Sequence, residues 1–382
     1  MPHPTICFVA SSHIESSPGG DTVQWRMYDR AAREAGLKTR TWFDNSPVPQ
    51  ADVVHAFNVD RPLGIYPKLV QAKRLGIPVI LSTIHHPHEW LARARRFEPP
   101  AGVLGKLLCR SPVGRSVPFT EAARELAMLV RDRRLAQLPD LIPSWRTRVR
   151  WLLSNADRIA LLTQEEATYI REDFGYAVPP EQSLVLPNWV EGVGEASIES
   201  PKLFDGLPEP PVIVVGRIEP RKNSLRVCRL AEIAQRHVVF VGEPLWGETS
   251  FLETFRRAVL RSHYARWIPG VRRLEMAQIY SHSSFLLNAS FVEVSPLVDI
   301  EALACGCPVA TTKYALHHRL LPPNTPLCDP YDDRSIVEQL RWRPERLEPR
   351  QVIDPERCRN ELIEAYADLA SPRAPARRHF MK

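Results

Sequence analysis

Two glutamates, Glu293 and Glu301, are separated by seven residues in the segment NASFVEVSPLVDIEALACGCPVAT, which covers residues 288–311. The run SFLLNAS is apolar and short enough for a buried strand, and Pro296 favours the first turn of a helix. The free N–H groups and positive dipole end of that helix would favour a phosphate. Because Glu293 precedes the helix and Glu301 lies inside it, the carboxylates could contact different parts of one ligand. The same spacing also fits a surface helix that carries two solvated acids.

A group of cations follows another apolar run, PVIVVG at 211–216. Arg217 comes directly after the run, and Arg221, Lys222 and Asn223 follow it. Arginine offers a planar fork and lysine a point charge, so together they can hold a diphosphate. Ordinary surface cations after a strand would give the same pattern.

A glycine pair, Gly19 and Gly20, precedes a helical pattern that Asp21 or Thr22 can cap. Glycine lets the backbone approach a ligand closely. The pair therefore marks a second candidate ligand loop, although a Gly-Gly turn is by itself a weak signal.

Three histidines, His85, His86 and His88, follow the apolar run IPVILSTI. A zinc site would need a matched cluster elsewhere in the chain, and the proline between the histidines interrupts a helical face. We therefore predict no metal site here.

These residues all follow apolar runs that alternate with helical patterns, which is typical of parallel sheets. The runs that we predict as strands are 5–11, 51–57, 77–84, 158–163 and 183–187 in the first half, and 211–216, 237–242, 284–290 and 307–312 in the second. The predicted fold class is α/β, with two doubly wound Rossmann-like domains that face each other across a cleft. Ligands of such sheets bind at the carboxyl ends of the strands.

The predicted domain boundaries follow from composition and length. Residues 1–192 form the first domain, and the segment 193–211, rich in Pro, Glu, Ser and Gly, is a linker. Residues 212–354 form the second domain, a terminal helix covers 355–370, and the tail 371–382 is disordered.

The segment from Glu293 to Val309 resembles the signature of the retaining glycosyltransferases of family four, the glycosyl transferases group 1. In that signature two glutamates are separated by seven residues, and the helix usually continues as EAMACGxPVV, here EALACGCPV. The residues after Arg217 echo the family's GRxxxxKN, while VVHAFN at 53–58 and LPNWV at 186–190 echo two further motifs. One departure is clear: the usual Gly-Phe-Gly after the first glutamate is replaced by Val-Ser-Pro, and proline has no N–H group.

The resemblance implies a glycosyltransferase-B fold and a nucleotide-diphosphate sugar as the donor substrate, with no cofactor. It also implies that residues 1–192 are the acceptor-side domain, that residues 212–354 bind the nucleotide sugar, and that the helix at 355–370 crosses back to the first domain. It implies that Arg217 and Lys222 hold the diphosphate and that Gly19 and Gly20 meet the donor's phosphate and sugar.

For the signature loop, the resemblance implies that Ser295, Pro296 and Leu297 contact the donor. Glu293 would hold sugar hydroxyls and steady positive charge at the ring, and Glu301 would accept hydrogen bonds from the ribose diol.

The resemblance also implies that His85, at the end of its strand, orients the sugar or the acceptor, and that transfer retains the anomeric configuration. The chain contains no Asp-x-Asp triplet. We therefore expect protein cations, and no bound divalent metal, to stabilise the leaving diphosphate.

The net charge of +6 is unevenly distributed. Between Leu91 and Arg150, thirteen Arg and Lys outnumber five Asp and Glu by eight, among many apolar side chains. Such a segment suits an anionic membrane surface or a phosphate-bearing lipid acceptor, or it forms a solvated helical face. No nucleic-acid-binding motif accompanies the charge, so we expect no nucleic-acid partner.

The seven cysteines are odd in number and scattered, which does not suggest a disulfide framework. The amino terminus lacks a basic leader with an apolar core, and no run approaches the ~20 apolar residues of a membrane span. We therefore expect a cytoplasmic protein, either soluble or peripheral on the inner membrane face.

Three functions remain open from the sequence. The leading one is a retaining sugar transferase that acts on a saccharide or lipid-linked acceptor in cell-surface polysaccharide biosynthesis. The second is a nucleotide-sugar epimerase of similar shape, which would need its own acid/base pair. The third is a noncatalytic sugar-nucleotide-binding scaffold, which the Val-Ser-Pro substitution makes conceivable.

Overall fold

Two six-stranded parallel β-sheets, one in each half of the chain, organise the computed structural model. The residues that the structure describes are 3–9, 19–43, 47–97, 116–131, 134–190, 201–245 and 249–371. Part of the predicted linker, the predicted tail after Ser371 and part of the basic segment lie outside these residues.

The first sheet has the strand order β2-β1-β3-β4-β5-β6. Its strands are β1 (Thr5–Val9), β2 (Lys38–Trp42), β3 (Val53–Phe57), β4 (Val79–Ser82), β5 (Arg158–Leu161) and β6 (Ser183–Val185). Its helices are α1 (Gly20–Glu34), α2 (Tyr66–Arg74), α3 (His88–Phe97), α4 (Val117–Arg131), α5 (Trp145–Asn155) and α6 (Gln164–Phe174). The chain leaves β1 and β3, which are neighbours, towards opposite edges of the sheet.

The second sheet has the order β12-β11-β10-β7-β8-β9. Its strands are β7 (Val212–Val215), β8 (Val238–Val241), β9 (Ala265–Ile268), β10 (Phe285–Leu287), β11 (Val309–Thr312) and β12 (Leu327–Cys328). The helices of this half are α7 (Ser224–Ala234), α8 (Thr249–Arg261), α9 (Arg273–His282), α10 (Leu297–Ala304), α11 (Asp333–Arg341) and α12 (Pro355–Ala370). Here the direction of winding reverses between the neighbours β7 and β10.

The predicted fold class is confirmed: both sheets are parallel, doubly wound and flanked by helices. Each predicted strand has a counterpart. All of these strands except β6 lie inside a sheet, where a strand is buried on both faces and its sequence is a largely apolar run. Three strands were not predicted, namely β2, β9 and β12, and all three lie at a sheet edge. Polar residues hide the strand signal in β2, with the sequence KTRTW, whereas β12 has only two residues.

The last helix, α12, packs on the first domain. Its residues Leu362 and Tyr366 are buried in the same core as Phe8 of β1. The Tyr366 hydroxyl lies 2.8 Å from Nδ1 of His55, whose Nε2 lies 2.9 Å from the Ser82 hydroxyl. Burial lowers the pKa of His55 to about 3, so this imidazole is a neutral part of the core.

Part of the predicted linker folds onto the second domain, because Phe204 is buried in that domain's core with Ile213. Among the described residues, no helix is both long and apolar enough to span a bilayer.

Candidate functional site

The candidate site lies where the second sheet reverses its winding. The loop after β7 carries Arg217 and Lys222, and the loop after the neighbouring strand β10 carries Glu293. Loops that leave adjacent strands in opposite directions open a crevice at the carboxyl edge of a sheet. The topology therefore brings together residues that are about seventy positions apart in sequence.

Glycines allow the strand ends at this crevice to approach each other. Gly242 follows β8 with φ of +150°, and a Cβ there would lie 2.0 Å from the carbonyl oxygen of Gly216. Gly216 follows β7 with φ of +145°, and a Cβ there would lie 3.4 Å from Cε of Lys222. The lysine side chain therefore folds back over the end of its own strand.

Lys222 and Arg221 both bind the carboxylate of Glu293. Lys222 Nζ donates to Oε1 at 2.5 Å, and Arg221 Nη1 lies 3.4 Å from Oε2. Arg221 Nη1 also donates to the carbonyl oxygen of Val292 at 2.9 Å. One carboxylate thus fixes two cations at the centre of the crevice.

Glu219 extends this cluster to Arg217. Arg221 Nη2 donates to Glu219 Oε1 at 2.8 Å, whereas Arg217 Nη2 lies 3.7 Å from Oε2. The cluster therefore holds three cations and two carboxylates. Both glutamates are buried, while Arg217 is 25% exposed, so the least neutralised cation is also accessible.

The cluster keeps its acids ionised. Burial alone would raise the pKa of Glu293, but Lys222 and Arg221 hold it well below its usual range. Burial likewise acts against ionisation of Glu219, and the nearby Arg221, Arg217 and Lys222 lower its pKa. Desolvation opposes the charge of Arg221, yet Glu219 and Glu293 raise its pKa.

Backbone contacts fix the position of Glu293. Its N–H donates to the carbonyl oxygen of Tyr314 at 2.9 Å, and the residue pairs with Ala315 in an isolated parallel bridge. Phe291 N–H donates to the carbonyl oxygen of Arg221 at 2.9 Å. The loops after β7 and β11 therefore hold the loop after β10 in place.

The loop before α10 joins the two domains. Ser295 accepts a hydrogen bond at its carbonyl oxygen from Asn188 Nδ2 at 2.9 Å, and Asn188 belongs to the LPNWV segment of the first domain. The buried Ser295 hydroxyl has no hydrogen-bond partner among the residues that the structure describes. Pro296 occupies the N-cap position, no described side chain caps the helix, and Leu297 is its first residue. This helix start retains donors for an anion.

Glu301 lies on α10, outside the ion-paired cluster. Its Oε2 accepts from the Tyr280 hydroxyl at 3.0 Å, and burial together with Glu301 raises the pKa of Tyr280. The buried Asp299, two residues earlier, accepts hydrogen bonds from Asn288 at 3.1 Å and from Thr311 at 2.5 Å. It fastens the helix to the ends of β10 and β11.

Gly19, just before α1, faces Arg217 across the crevice. A Cβ on Gly19 would lie 3.7 Å from Arg217 Nη1, whereas a Cβ on Gly20 would meet open space. The structure therefore brings Gly19 and Arg217 together, as the proposed diphosphate grip requires. Residues 10–18 of the same loop lie outside the described part of the chain.

His85 is not part of this constellation. It is fully buried, with Nδ1 2.6 Å from Asp60 Oδ1 and Nε2 2.9 Å from Asp173 Oδ2. Burial alone would lower its pKa, but the two carboxylates raise the pKa to about 10. Protein carboxylates engage both ring nitrogens. We therefore do not propose the contact between His85 and a sugar that the resemblance implies.

The buried carboxylate of Glu166 binds the backbone of this histidine. Glu166 accepts hydrogen bonds from the His85 and Leu162 N–H groups at 2.6 and 2.7 Å and from the Thr83 hydroxyl at 2.5 Å. Donor atoms of His85, His88 and Asp173 lie within 4.8 Å of one another, so these three residues form a set that could hold a metal ion. An ion there would have to displace the proton that binds His85 to Asp173.

Sequence reasoning missed the structural parts of the site. Glu219 and Asn188 were not predicted as site residues, and Arg221 was named without its role on Glu293. The alternation of charges in Arg217-Ile-Glu-Pro-Arg-Lys222 was the available signal for Glu219, since it places opposite charges in one short loop.

The sequence of this chain is similar to those of known glycosyltransferases. Residues 198–353 match the family described as glycosyl transferases group 1. The D-inositol 3-phosphate glycosyltransferase of Segniliparus rotundus is 28% identical over 174 residues, which are 42% of this chain and 38% of that protein. The match thus spans about two fifths of the curated relative.

Solved structures resemble the whole chain in fold. Sucrose-phosphate synthase from Thermosynechococcus elongatus has a TM-score of 0.61 at 13% identity, covering 96% of each chain. Anabaena Alr3699/HepE in complex with UDP and glucose has a TM-score of 0.58 at 14% identity, covering 96% of this chain and 95% of that one. A trehalose-phosphate synthase from Burkholderia vietnamiensis has a TM-score of 0.56 at 11% identity, covering 97% and 96%.

Proposed function

Because residues 198–353 match the family model of the group 1 glycosyl transferases and the chain resembles sucrose-phosphate synthase in fold, we propose that it is a retaining glycosyltransferase. It moves a sugar from a nucleotide-diphosphate donor to a saccharide or lipid-linked acceptor in cell-surface polysaccharide biosynthesis. The observation that carries the proposal is the cluster of three cations and two ionised glutamates at the β7–β10 crevice.

The charge of the cluster indicates the chemical class of the donor. Its excess positive charge, together with the uncapped start of α10 and the unpartnered Ser295 hydroxyl, suits a diphosphate. The HepE structures contain UDP and UDP-glucose, which supports a nucleoside diphosphate sugar here.

Catalysis requires charge stabilisation on the leaving group. As the bond from the anomeric carbon to the diphosphate oxygen breaks, negative charge grows on that oxygen, where Arg217 and Lys222 act. The acceptor hydroxyl attacks from the face that the diphosphate leaves, so the configuration is retained. The hydroxyl's proton passes to the departing diphosphate oxygen, and no protein nucleophile is needed.

Glu293 contributes as a fixed anion. Its lowered pKa keeps it ionised at neutral pH, where it can accept hydrogen bonds from sugar hydroxyls and offset positive charge at the ring. Glu301 is proposed to bind the ribose diol. We propose metal-independent transfer because the cations already supply the charge that a divalent ion would bring and the chain has no Asp-x-Asp triplet.

Helix α4 supports a membrane-bound setting. Phe119, Leu126 and Val130 lie on one face by their helical spacing and are 48%, 45% and 57% exposed. The opposite, buried face carries Glu121 and Glu125, which pair with Arg95 and Arg148. The helix thus buries two ion-paired glutamates on one face and exposes a row of three apolar side chains on the other, and such an exposed apolar row is unusual for a surface in water.

We propose that this face of α4 docks on an anionic membrane, where a lipid-linked acceptor would be found. The excess of eight positive charges between Leu91 and Arg150 provides charge complementarity. Flotation with anionic liposomes tests this. Leu126→Ser/Val130→Ser should lose association, and the control Leu260→Ser, which alters an 85% exposed leucine in the second domain, should keep it. Equal flotation of both variants would contradict the docking surface.

Donor turnover tests the transferase itself. A thermal-shift panel of UDP, GDP and ADP identifies the base, because a ligand at 100 times its Kd adds roughly 2.7 kcal/mol of apparent stability. Slow hydrolysis of the corresponding nucleotide sugar without acceptor is then expected. Binding without any turnover of the sugar would favour a scaffold and contradict the proposal.

A further inference from the structure

A second crevice lies where the first sheet reverses its winding, between β1 and β3. Gly19 and Asp21 follow β1, and Arg61 follows β3. This position in the first domain corresponds to that of the donor cluster in the second. The carboxyl ends of strands at a reversal of winding are where ligands of doubly wound sheets bind.

The Arg61 loop is firmly held. Asn58 and Val59 N–H groups donate to the carbonyl oxygens of Ser82 and Thr83 at 2.9 and 2.8 Å. Asn58 Nδ2 also donates to Asp21 Oδ2 at 3.2 Å, which links the loop to the start of α1. The Arg61 guanidinium is therefore presented by a fixed backbone, and it makes no ion pair with any residue in the described ranges.

Two other arginines near Arg61 are also weakly neutralised. Arg124 Nη1 lies 3.6 Å from Glu121, and Arg217 Nη2 lies 3.7 Å from Glu219. Desolvation and the charges of Arg124 and Arg217 lower the pKa of Arg61, so these guanidinium groups repel one another. Arg217 also lies against Gly19, which places the group at the cleft between the domains.

Three of the acids near Arg61 are paired with other residues. Asp60 binds His85 and His86, Glu121 binds Arg95, and Glu125 binds Arg148 and the Leu63 N–H. Arg61 and Arg124 line a cavity of about 60 Å³ together with these three acids and with Lys68, Arg134 and Asp140. Burial raises the pKa of Asp140, which disfavours its charge. A cavity needs roughly 10–15 Å³ of such volume to hold one water molecule, so this cavity has room for a small anion. Repelling cations around a cavity cost free energy that a bound anion recovers.

We propose that Arg61 and Arg124 bind a phosphate ester carried by the acceptor, beside the donor diphosphate on Arg217. This rests on the proposed transferase function and names the class of its acceptor. A phosphate suits the site because each guanidinium can make paired hydrogen bonds to a dianion. The phosphate can belong to a soluble sugar phosphate or to a lipid headgroup, since the chemistry is shared.

Calorimetric titration at fixed ionic strength tests the subsite. The protein is first saturated with the nucleoside diphosphate that it binds, so that Arg217 and Lys222 are occupied, and glucose 6-phosphate or glucose is then added. We expect binding of the phosphate ester only. Arg61→Gln and Arg124→Gln should each weaken it about tenfold or more, and Arg61→Lys by less.

The control is Arg74→Gln, an exposed arginine in the last turn of α2, at the opposite edge of the sheet. It should bind glucose 6-phosphate like the wild type. A short-chain phosphatidic acid, used as a monomer, separates the sources: tighter binding than glucose 6-phosphate assigns the site to a lipid headgroup, and weaker binding to a sugar phosphate.

Equal binding of glucose and glucose 6-phosphate, or unchanged affinity in Arg61→Gln and Arg124→Gln, would overturn the subsite. Unchanged nucleotide affinity and donor hydrolysis in that case leave the transferase proposal standing. Loss of nucleotide binding by the wild type would refute the transferase proposal instead.

Discussion

The two domains each hold a charged cluster beyond a central strand, and the clusters differ in whether they are closed. In the first domain, Asp60 and Asp173 occupy both nitrogens of the buried His85. In the second, Arg217 is 25% exposed and only loosely paired, while Lys222 and Arg221 share Glu293. Both clusters contain residues that resemble motifs of the same glycosyltransferase family.

The difference shows how a matched motif should be interpreted in a structure. Buried charges persist when protein partners satisfy them, and a group whose hydrogen bonds are all internal contributes to the fold. A cluster with an excess charge that reaches solvent retains capacity for a ligand. On this basis we assign the His85 cluster a structural role in the first domain and propose the Arg217 cluster as the substrate site.

The largest expected effect is on stability. His85→Gln leaves Asp60 and Asp173 without their shared cation and should cost about 3 kcal/mol or more of unfolding free energy. Donor turnover per folded molecule at low temperature should stay within a few-fold of wild type. Denaturant titration and single-temperature kinetics measure the two quantities. A hundredfold loss of turnover in a stable variant would restore the sugar contact that the resemblance implies.

The same variant has a pH signature. The raised pKa of His85, about 10, means that between roughly pH 6.5 and 10 the folded protein keeps a proton that the unfolded chain has released. The stabilisation from His85 is therefore complete below the unfolded pKa and lost as pH rises through about 10. Wild-type stability should fall across this range, and His85→Gln should show a smaller slope.

Removal of a cation from the second cluster should lower turnover. Arg217→Ala and Lys222→Ala should each lower kcat about 10²-fold, because they remove charge that acts most strongly in the transition state. The exposed Arg229→Ala on α7 is the control, and circular dichroism checks the fold. Activity within a few-fold of wild type in both site variants would refute the diphosphate grip.

Substitutions of Glu293 and Glu301 should change different kinetic parameters. Glu293→Gln should lower kcat about tenfold or more because the carboxylate charge acts at the sugar, whereas Glu301→Gln should mainly raise KM for the donor. Steady-state kinetics with varied donor concentration distinguish them. Equal losses confined to affinity would contradict the roles.

The smallest expected effect is that of a chelator. Activity should survive EDTA within error, because protein cations stabilise the leaving group. Loss of turnover on chelation, with recovery in Mn²⁺ or Mg²⁺, would contradict metal-independent transfer.

The fold could be predicted where burial decides it. Central strands such as β4 and β8 are largely apolar, with the sequences VILS and VVFV, whereas the edge strands β2 and β9 carry polar residues and were missed. In the site, Lys222 and Glu293 were predicted by motif, and the structure pairs them. The enclosure of His85 was not predictable because Asp60 and Asp173 are 25 and 88 positions away, a distance that local patterns do not reach.

The return of α12 to the first domain determines the order in which the protein can be completed on the ribosome. Leu362 and Tyr366, which follow the whole second domain in sequence, fill a core that also contains Ile6 and Phe8. Domains usually fold as units in the order in which they emerge. Here the first domain stays unfinished until the whole second domain has been translated. A nascent chain stalled before Pro355 would therefore expose the apolar surface that α12 covers, and it would depend on chaperones until release.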